Sequence, residues 1–374
     1  MKIIIAPDSY KESMDAFGAA QAMAEGARRA VLEAEIDLCP LADGGDGTLA
    51  VLVHATEGSV QKAMVSDPLG HPVEARIGFL GKKSKAVVEI AQAAGLFLIP
   101  PRLRNPLNTT TFGIGQLIQA VLDQGADTII VALGGSATVD AGCGCLQALG
   151  VLFFDGLGNP FRRPMTGADL GVLTGFDASG IDRRLRSAVV RCACDVSNPL
   201  VGSEGAARIF GPQKGAGPQD VEILEKNMER WADMVLRKTG RDLRHEPHTG
   251  AAGGVGAGLS ALLGASLESG FGMVAETIGL EGRIRRADLC LTGEGRLDRT
   301  SLSGKTTGRV ADLCRKLGTA VICVPGQIAD DAPRDLFDGV FGLVHDHMWS
   351  PDRFAHAGEY LADAAFRAVK SYSA

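Results

Sequence analysis

One alternation restricts the fold more than any other feature of this chain. Short, β-branched apolar runs end in turns rich in glycine and carboxylates, and each is followed by a stretch of helical period. Residues 2–6 read as a buried strand, and 13–32 as a helix with Met14, Phe17, Ala20, Met23 and Ala27 near one face. Residues 35–39 read as a second strand. The C-terminal end repeats the design: strands at 288–291, 320–324 and 339–344, with helices at 305–317 and 353–370. Such alternation implies βαβ units around a parallel sheet. Between the two ends, strands are expected at 73–80, 86–90, 128–133 and 188–193, and helices at 111–124, 219–238 and 257–267. The simplest architecture is α/β. One parallel-sheet domain is built from both termini (1–70 and 286–374), with a second α/β domain (71–285) inserted.

Composition matters at the loops and in deciding partners. Glycine supplies 49 of 374 residues, nearly twice the usual 7% or so, so many loops can offer bare backbone to a ligand. Acidic residues outnumber basic ones, 44 to 38, for a net charge of −6. Proteins that grip nucleic-acid phosphates carry a basic surplus, so no nucleic-acid partner is expected. No run approaches the roughly 20 apolar residues of a membrane span, and the first residues do not form a secretory leader. The eight cysteines sit mostly in apolar runs, as reduced, buried thiols of a cytoplasmic protein would. The pairs Cys143/Cys145 and Cys192/Cys194 lack zinc-site spacing and a neighbouring histidine, and His345 with His347 lacks a third ligand.

Five loops could carry chemistry. Asp8, Ser9 and Lys11 follow the first strand, where ligands of open α/β sheets bind; the plainer role for Asp8 or Ser9 is to cap the next helix. Asp43 and Asp46, among Gly44, Gly45 and Gly47, could hold Mg²⁺ or a hydroxyl, or form a simple acidic turn. Gly134, Gly135 and Ser136 open a strand-to-helix turn, where exposed amides suit phosphate; the dinucleotide fingerprint is absent. Asp195 and Asn198 end another strand and could reach Mg²⁺, while Lys214 in a Gly/Pro loop could meet phosphate. Finally Glu294, Arg296, Asp298 and Lys305 crowd one strand end. Gly304-Lys305-Thr306 is not a P-loop, because Arg299 stands where the pattern needs glycine. Residues 250–258 (GAAGGVGAG) could lead a helix to phosphate or permit close packing.

Taken together and in order, these loops resemble the bacterial glycerate kinase family over essentially the whole chain. The resemblance rests on APDSYKES at 6–13, PLADGGDGT at 40–48, LGGSATVDAG at 133–142, CDVSNPL at 194–200, FGPQKGA at 210–216 and LTGEGRLD at 291–298, with Gly304-Lys305. It implies a flavodoxin-like domain from both termini with an inserted α/β domain. It also implies phosphorylation of D-glycerate using ATP and Mg²⁺, on the 2-hydroxyl in the branch this chain looks like. Phosphoryl transfer needs a phosphate cradle, a metal, a base and cations. On that footing Asp8, Asp195, Lys214 and Lys305 are the expected catalytic group. Asp195, with Asp43 or Asp46, would take the metal or base roles, and Glu294 would be a second metal ligand. Lys11 and Arg296 would take the substrate carboxylate, with Ser9, Asp43 and Asp46 nearby. Gly134, Gly135, Ser136 and Asn198 would hold ATP. A kinase for another small hydroxy acid, a 3-phosphoglycerate-forming enzyme and a non-catalytic sugar-acid binding protein stay open as alternatives, as does a homo-oligomer.

Overall fold

The structure, a computed structural model, describes residues 1–11, 13–81, 84–299, 301, 305–343 and 356–373. Backbone contacts divide the chain into two units: Met1–Asp43 with Phe271–Ala374, and Gly44–Gly270. The sequence reading places those boundaries near 70 and 285 instead.

The terminal unit begins with β1 (Lys2–Ile5), α1 (Ala16–Ala30) and β2 (Glu35–Leu38). The middle unit follows with α2 (Thr48–Ala55), β3 (Ser59–Ser66), β4 (Pro72–Leu80), β5 (Lys85–Glu89), α3 (Ala91–Ala94), α4 (Phe112–Asp123) and β6 (Thr128–Ala132). It continues through α5 (Cys143–Ala148), β7 (Leu152–Phe154), β8 (Gly175–Asp177), β9 (Val189–Cys194), α6 (Ala206–Phe210), α7 (Pro218–Thr239), α8 (Ala251–Leu263) and β10 (Ser266–Ser269). The terminal unit then resumes with α9 (Gly270–Ile278), α10 (Leu280–Ile284), β11 (Leu289–Thr292), β12 (Arg296–Leu297) and α11 (Thr306–Leu317). It closes with β13 (Ala320–Cys323), β14 (Gln327–Ile328), β15 (Gly339–Val340) and α12 (Ala357–Ser373).

The terminal unit's main sheet runs β15-β13-β11-β1-β2, all parallel. Counted along the chain within this unit the order is 2-1-3-4-5, that of a flavodoxin-like, doubly wound sheet. Ile3, Ile4 and Ile5 are fully buried because β1 is central and covered on both faces. Each such side chain contributes about 1.5–3 kcal/mol through burial. Strand order reverses between β1 and β11, so the loops leaving those strands flank the switch point where such sheets bind ligands. Asp15 caps α1, its Oδ1 accepting the Gly18 amide at 2.7 Å. One face of α1 is made small by Ala19, Ala20, Ala24, Gly26 and Ala27 and packs on α12. A Cβ on Gly26 would lie 2.0 Å from the Ala362 carbonyl oxygen, so only glycine permits this approach.

The middle unit's sheet runs β10-β9-β6-β5-β4-β3, with β10, β9, β6 and β5 parallel and β4 and β3 antiparallel. Helix α7 starts at Pro218, a residue suited to a first turn, and ends at Gly240 with φ +75°. Leu224, Met228, Trp231 and Val235 recur at helical spacing and bury one stripe of it.

Several segments depart from expectation. The helix expected over 257–267 runs Ala251–Leu263 and stops at left-handed Gly264; Ser266–Ser269 is instead strand β10, paired with β9. Strand β3 is unannounced by the sequence because it is a sheet edge, with Val60, Lys62 and Met64 all exposed. The strand expected over 339–344 is formed at Gly339–Val340, and the final helix begins at Ala357. Val344, His345, His347 and Arg353 lie outside the described residues.

Candidate active site

In the terminal unit β1 and β11 end side by side, and their loops are fastened to each other. The Asp8 amide donates to the Gly293 carbonyl at 2.9 Å, and Thr292 Oγ1 donates to the Ala6 carbonyl at 2.8 Å. Asp8 Oδ1 accepts the Ser9 amide at 2.6 Å, and Oδ2 accepts Thr306 Oγ1 at 2.6 Å from the first turn of α11. Burial pushes the Asp8 carboxyl up to about 7, and the charges of Asp43 and Glu294 push the same way. The bonds from Thr306 and Ser9 act against this but are outweighed.

Glu294 is also raised above the ordinary carboxylate range by burial, although Ser301 Oγ donates to its Oε1 at 2.8 Å and Lys305 lies near. Lys305 Nζ stands 3.6 Å from both Glu294 Oε2 and Asp298 Oδ1, and Arg296 Nε stands 3.6 Å from Asp298 Oδ2. These are ion pairs too long to be hydrogen bonds, so neither cation is locked to one carboxylate. Lys11 and Arg296 are exposed, and Ser9 is half-buried. Gly293 lets the loop turn here: a Cβ would sit 2.3 Å from the Tyr10 hydroxyl, which itself donates to the Val324 carbonyl. Ser303 and Gly304 lie outside the described residues.

In the middle unit the Gly44–Gly47 and Gly134–Ser136 loops touch. A Cβ on Gly134 would lie 2.4 Å from Gly45 Cα, and the Gly134 amide donates to the Gly44 carbonyl at 3.3 Å. Gly135, at φ +75°, lies against Asp46. Ala94–Leu96 flanks the same loop, with Leu96 N donating to the Gly135 carbonyl at 2.9 Å. Beneath it Lys214, fully buried, donates from Nζ to Ser136 Oγ and to the Thr138 carbonyl, both at 2.8 Å. Burial pushes the Lys214 ammonium down to about 7, with the charge of Asp140 opposing. At the end of β9, Asp195 is exposed, while the Asn198 side-chain amide donates to the Glu204 carbonyl at 2.8 Å within its own loop. The glycine-rich start of α8 serves close packing: a Cβ on Gly253 would meet the Thr138 carbonyl oxygen at 1.9 Å.

The residues present fit a nucleotide phosphate and a magnesium ion. Thr138 Oγ1, in the same loop, is buried without a partner among the described residues. A cation lies directly below. Among the described residues no three His, Cys, Asp or Glu side chains converge as a metal cage. Mg²⁺ is ordinarily held by one or two carboxylates plus substrate phosphates, so a single carboxylate from Asp195 or Glu294 would suffice. The expected residues thus fall into two groups. Asp8, Ser9, Lys11, Asp43, Glu294, Arg296 and Lys305 belong to the terminal unit, and Asp46, Gly134, Gly135, Ser136, Asp195, Asn198 and Lys214 to the middle unit.

Sequence reasoning gave no role to Thr306, Glu89 or Asp140. Thr306 is the hydroxyl that holds Asp8. Glu89, buried at the end of β5, accepts the Leu49 amide at 2.8 Å and so steadies the first turn of α2 beside Asp46. Its position at a parallel-strand end was the available signal.

Comparison with known proteins identifies the family. The profile of the glycerate kinase family matches residues 3–373. The Escherichia coli (strain K12) glycerate 2-kinase is 44% identical over 347 residues, covering 93% of this chain and 88% of that one. The Bacillus subtilis (strain 168) glycerate kinase is 43% identical over 368 residues, covering 98% and 96%. A crystal structure from Salmonella typhimurium LT2, of a protein assigned as glycerate kinase 2, superposes with a TM-score of 0.88 at 40% identity, covering 100% of this chain and 98% of that one. With its flavodoxin-like sheet, its carboxylate-rich switch point and these full-length relatives, the chain belongs to the glycerate kinase family and is a kinase.

Proposed function

We propose that this kinase transfers the terminal phosphoryl group of ATP, with Mg²⁺, to the 2-hydroxyl of D-glycerate, giving 2-phosphoglycerate. The observation that carries the reading is Asp8. Its carboxyl sits at the switch point, raised to about 7, with Lys305, Arg296 and Lys11 on the same loops. A carboxylate tuned near neutrality takes a proton well from a hydroxyl and gives it up again. Asp8 Oδ2, now bonded to Thr306, is the atom assigned to receive the hydroxyl proton. Lys11 and Arg296 bind the glycerate carboxylate, for which Arg offers a bidentate fork. Lys305 swings from its long contacts with Glu294 and Asp298 toward the transferred phosphate. Gly134, Gly135 and Ser136 hold the nucleotide phosphates over Lys214. Asp195 of the middle unit or Glu294 of the terminal unit is the assigned carboxylate for Mg²⁺, which when bound would neutralise charge on the phosphate oxygens. The name of the E. coli relative supports the 2-hydroxyl as acceptor. Eight buried free thiols accord with work in the cytoplasm.

The test is ³¹P NMR of the product formed from ATP, Mg²⁺ and D-glycerate, with 2-phosphoglycerate expected. A 3-phosphoglycerate signal would move the acceptor hydroxyl. Turnover only with other hydroxy acids would change the substrate. ATP binding without any turnover would leave the sugar-acid binding reading.

A further inference from the structure

A buried carboxylate lies under the middle unit's glycine loop and has no part in the chemistry above. Asp140 is wholly inaccessible to solvent, yet four donors converge on it. Thr111 N and Thr111 Oγ1 reach Oδ2 at 2.9 and 2.7 Å, Gly144 N reaches Oδ2 at 3.3 Å, and Gly142 N reaches Oδ1 at 3.1 Å. Thr111 Oγ1 in turn accepts the Cys145 amide at 2.9 Å, and Thr109 Oγ1 donates to the Ala137 carbonyl at 3.0 Å. Buried threonines 109–111, just before α4, therefore form a platform to which the stretch 137–145 is tied.

That stretch needs tying. Ala141 sits at φ +53°, a left-handed conformation that a non-glycine residue holds only when its surroundings impose it. The same stretch supplies the Thr138 carbonyl that binds Lys214. We propose that Asp140, acting with Thr111, is a positioning residue for the phosphate-binding loop: it sets the backbone from Ser136 to Gly142, and with it the Thr138 carbonyl that holds Lys214. The proposal rests on the reading that ATP phosphates occupy this loop.

Burial raises the proton affinity of Asp140 itself, and the hydrogen bonds from Thr111, Gly142 and Gly144 act against this. Asp140 is the group that acts on Lys214 through space, and it opposes the effect of burial there. Arg104, whose backbone lies against Gly215, turns its guanidinium to the Ile99 carbonyl at 3.2 Å. The thiols facing Asp140, Cys143 and Cys145, are pushed upward by burial and by Asp140 itself, so they stay protonated.

The experiment measures KM for ATP, KM for D-glycerate and the pH profile of kcat/KM for ATP in Asp140→Asn, Thr111→Val, Thr111→Ser and Ser136→Ala enzymes. Asp140→Asn should raise KM for ATP roughly tenfold and leave KM for glycerate within about twofold, as expected for an interaction used in binding. Without the negative charge, burial acts unopposed on Lys214, so the alkaline limb should move to lower pH by roughly one unit. Thr111→Val, which keeps the charge, should raise KM for ATP without moving that limb, and Thr111→Ser should behave as wild type. Wild-type values in Asp140→Asn, where Ser136→Ala does raise KM for ATP, would overturn the role of Asp140 alone. No change in Ser136→Ala would overturn the phosphate-loop reading and this proposal with it. Should Asp140→Asn fail to fold, an unchanged KM for ATP in Thr111→Val would overturn the proposal.

Discussion

The two units place functional loops at the carboxyl ends of parallel strands, but they treat charge in opposite ways. At the β1–β11 ends, burial and the charges of Asp43 and Glu294 raise the proton affinity of Asp8, and Lys305 and Arg296 stand 3.6 Å from the neighbouring carboxylates. At the β6 end the ligand-facing elements are glycines and hydroxyls. The charged Lys214 and Asp140 are buried below, each satisfied by two or more hydrogen bonds. The first arrangement suits moving a proton, because crowding and burial bring a carboxylate near neutrality. The second suits holding an anion in a fixed shape, because backbone donors need no reorganisation. Sheet topology fixes where a site can be; local packing decides which chemistry it performs.

The sharpest way to break this contrast is Asp8→Asn. Turnover should fall by about 10²–10⁴-fold, the usual worth of a general base. The acid limb of the pH–rate profile, expected near 7 from Asp8, should disappear. The same substitution reads out in stability. Because the folded-state value is raised, the fold binds a proton that the unfolded chain has lost, so wild-type stability should decline from about pH 4 to about pH 7. Asp8→Asn should lack that decline and melt higher than wild type at pH 8, as calorimetry would show. If its melting curve instead tracks wild type across this range, Asp8 is not held near neutrality.

Asp195, like Asp46, is an exposed carboxylate of the middle unit's loops and so an exception to its pattern. Asp195→Asn should lower turnover by about 10²-fold with an unchanged melting temperature, the profile of a group acting on metal-bound phosphate. Near-normal turnover would remove it from the mechanism. Gly134→Ala tests the neutral cradle by shape: the added Cβ meets Gly45 Cα at 2.4 Å, so a loss of about 1–3 kcal/mol is expected in denaturant unfolding. Thr306→Val is subtler. Losing a hydrogen bond that favours the charged form should move the acid limb upward by roughly half a pH unit, with little change in the plateau rate. The smallest effect belongs to a surface ion pair remote from both loops. Glu35→Gln, which breaks the exposed contact to Lys2, should change stability by about 1 kcal/mol or less.

Much of this was legible before any coordinates. The terminal strands β1, β11 and β13 announced themselves because strands buried on both faces must be continuous apolar runs, as Lys2–Ile5 and Leu289–Thr292 are. The functional loops were legible because strand ends and glycines mark them locally. Edge strand β3 carried no such mark, having one exposed face and Lys62 at its centre. The end of α8 hung on Gly264, whose left-handed turn stops a helix that an apolar pattern would otherwise extend to residue 267.

What the sequence determined by itself was the alternation, the parallel sheet and the roster of chemically able residues, all set by patterns within a few positions of each other. Tertiary structure alone decided their partners. Thr306 reaches Asp8 across 298 positions, Lys214 passes beneath Ser136 across 78, and Asp140 is pinned to Thr111 across 29. Proton affinity follows from burial and from neighbours in space, and neither is a property of a residue's place in the chain.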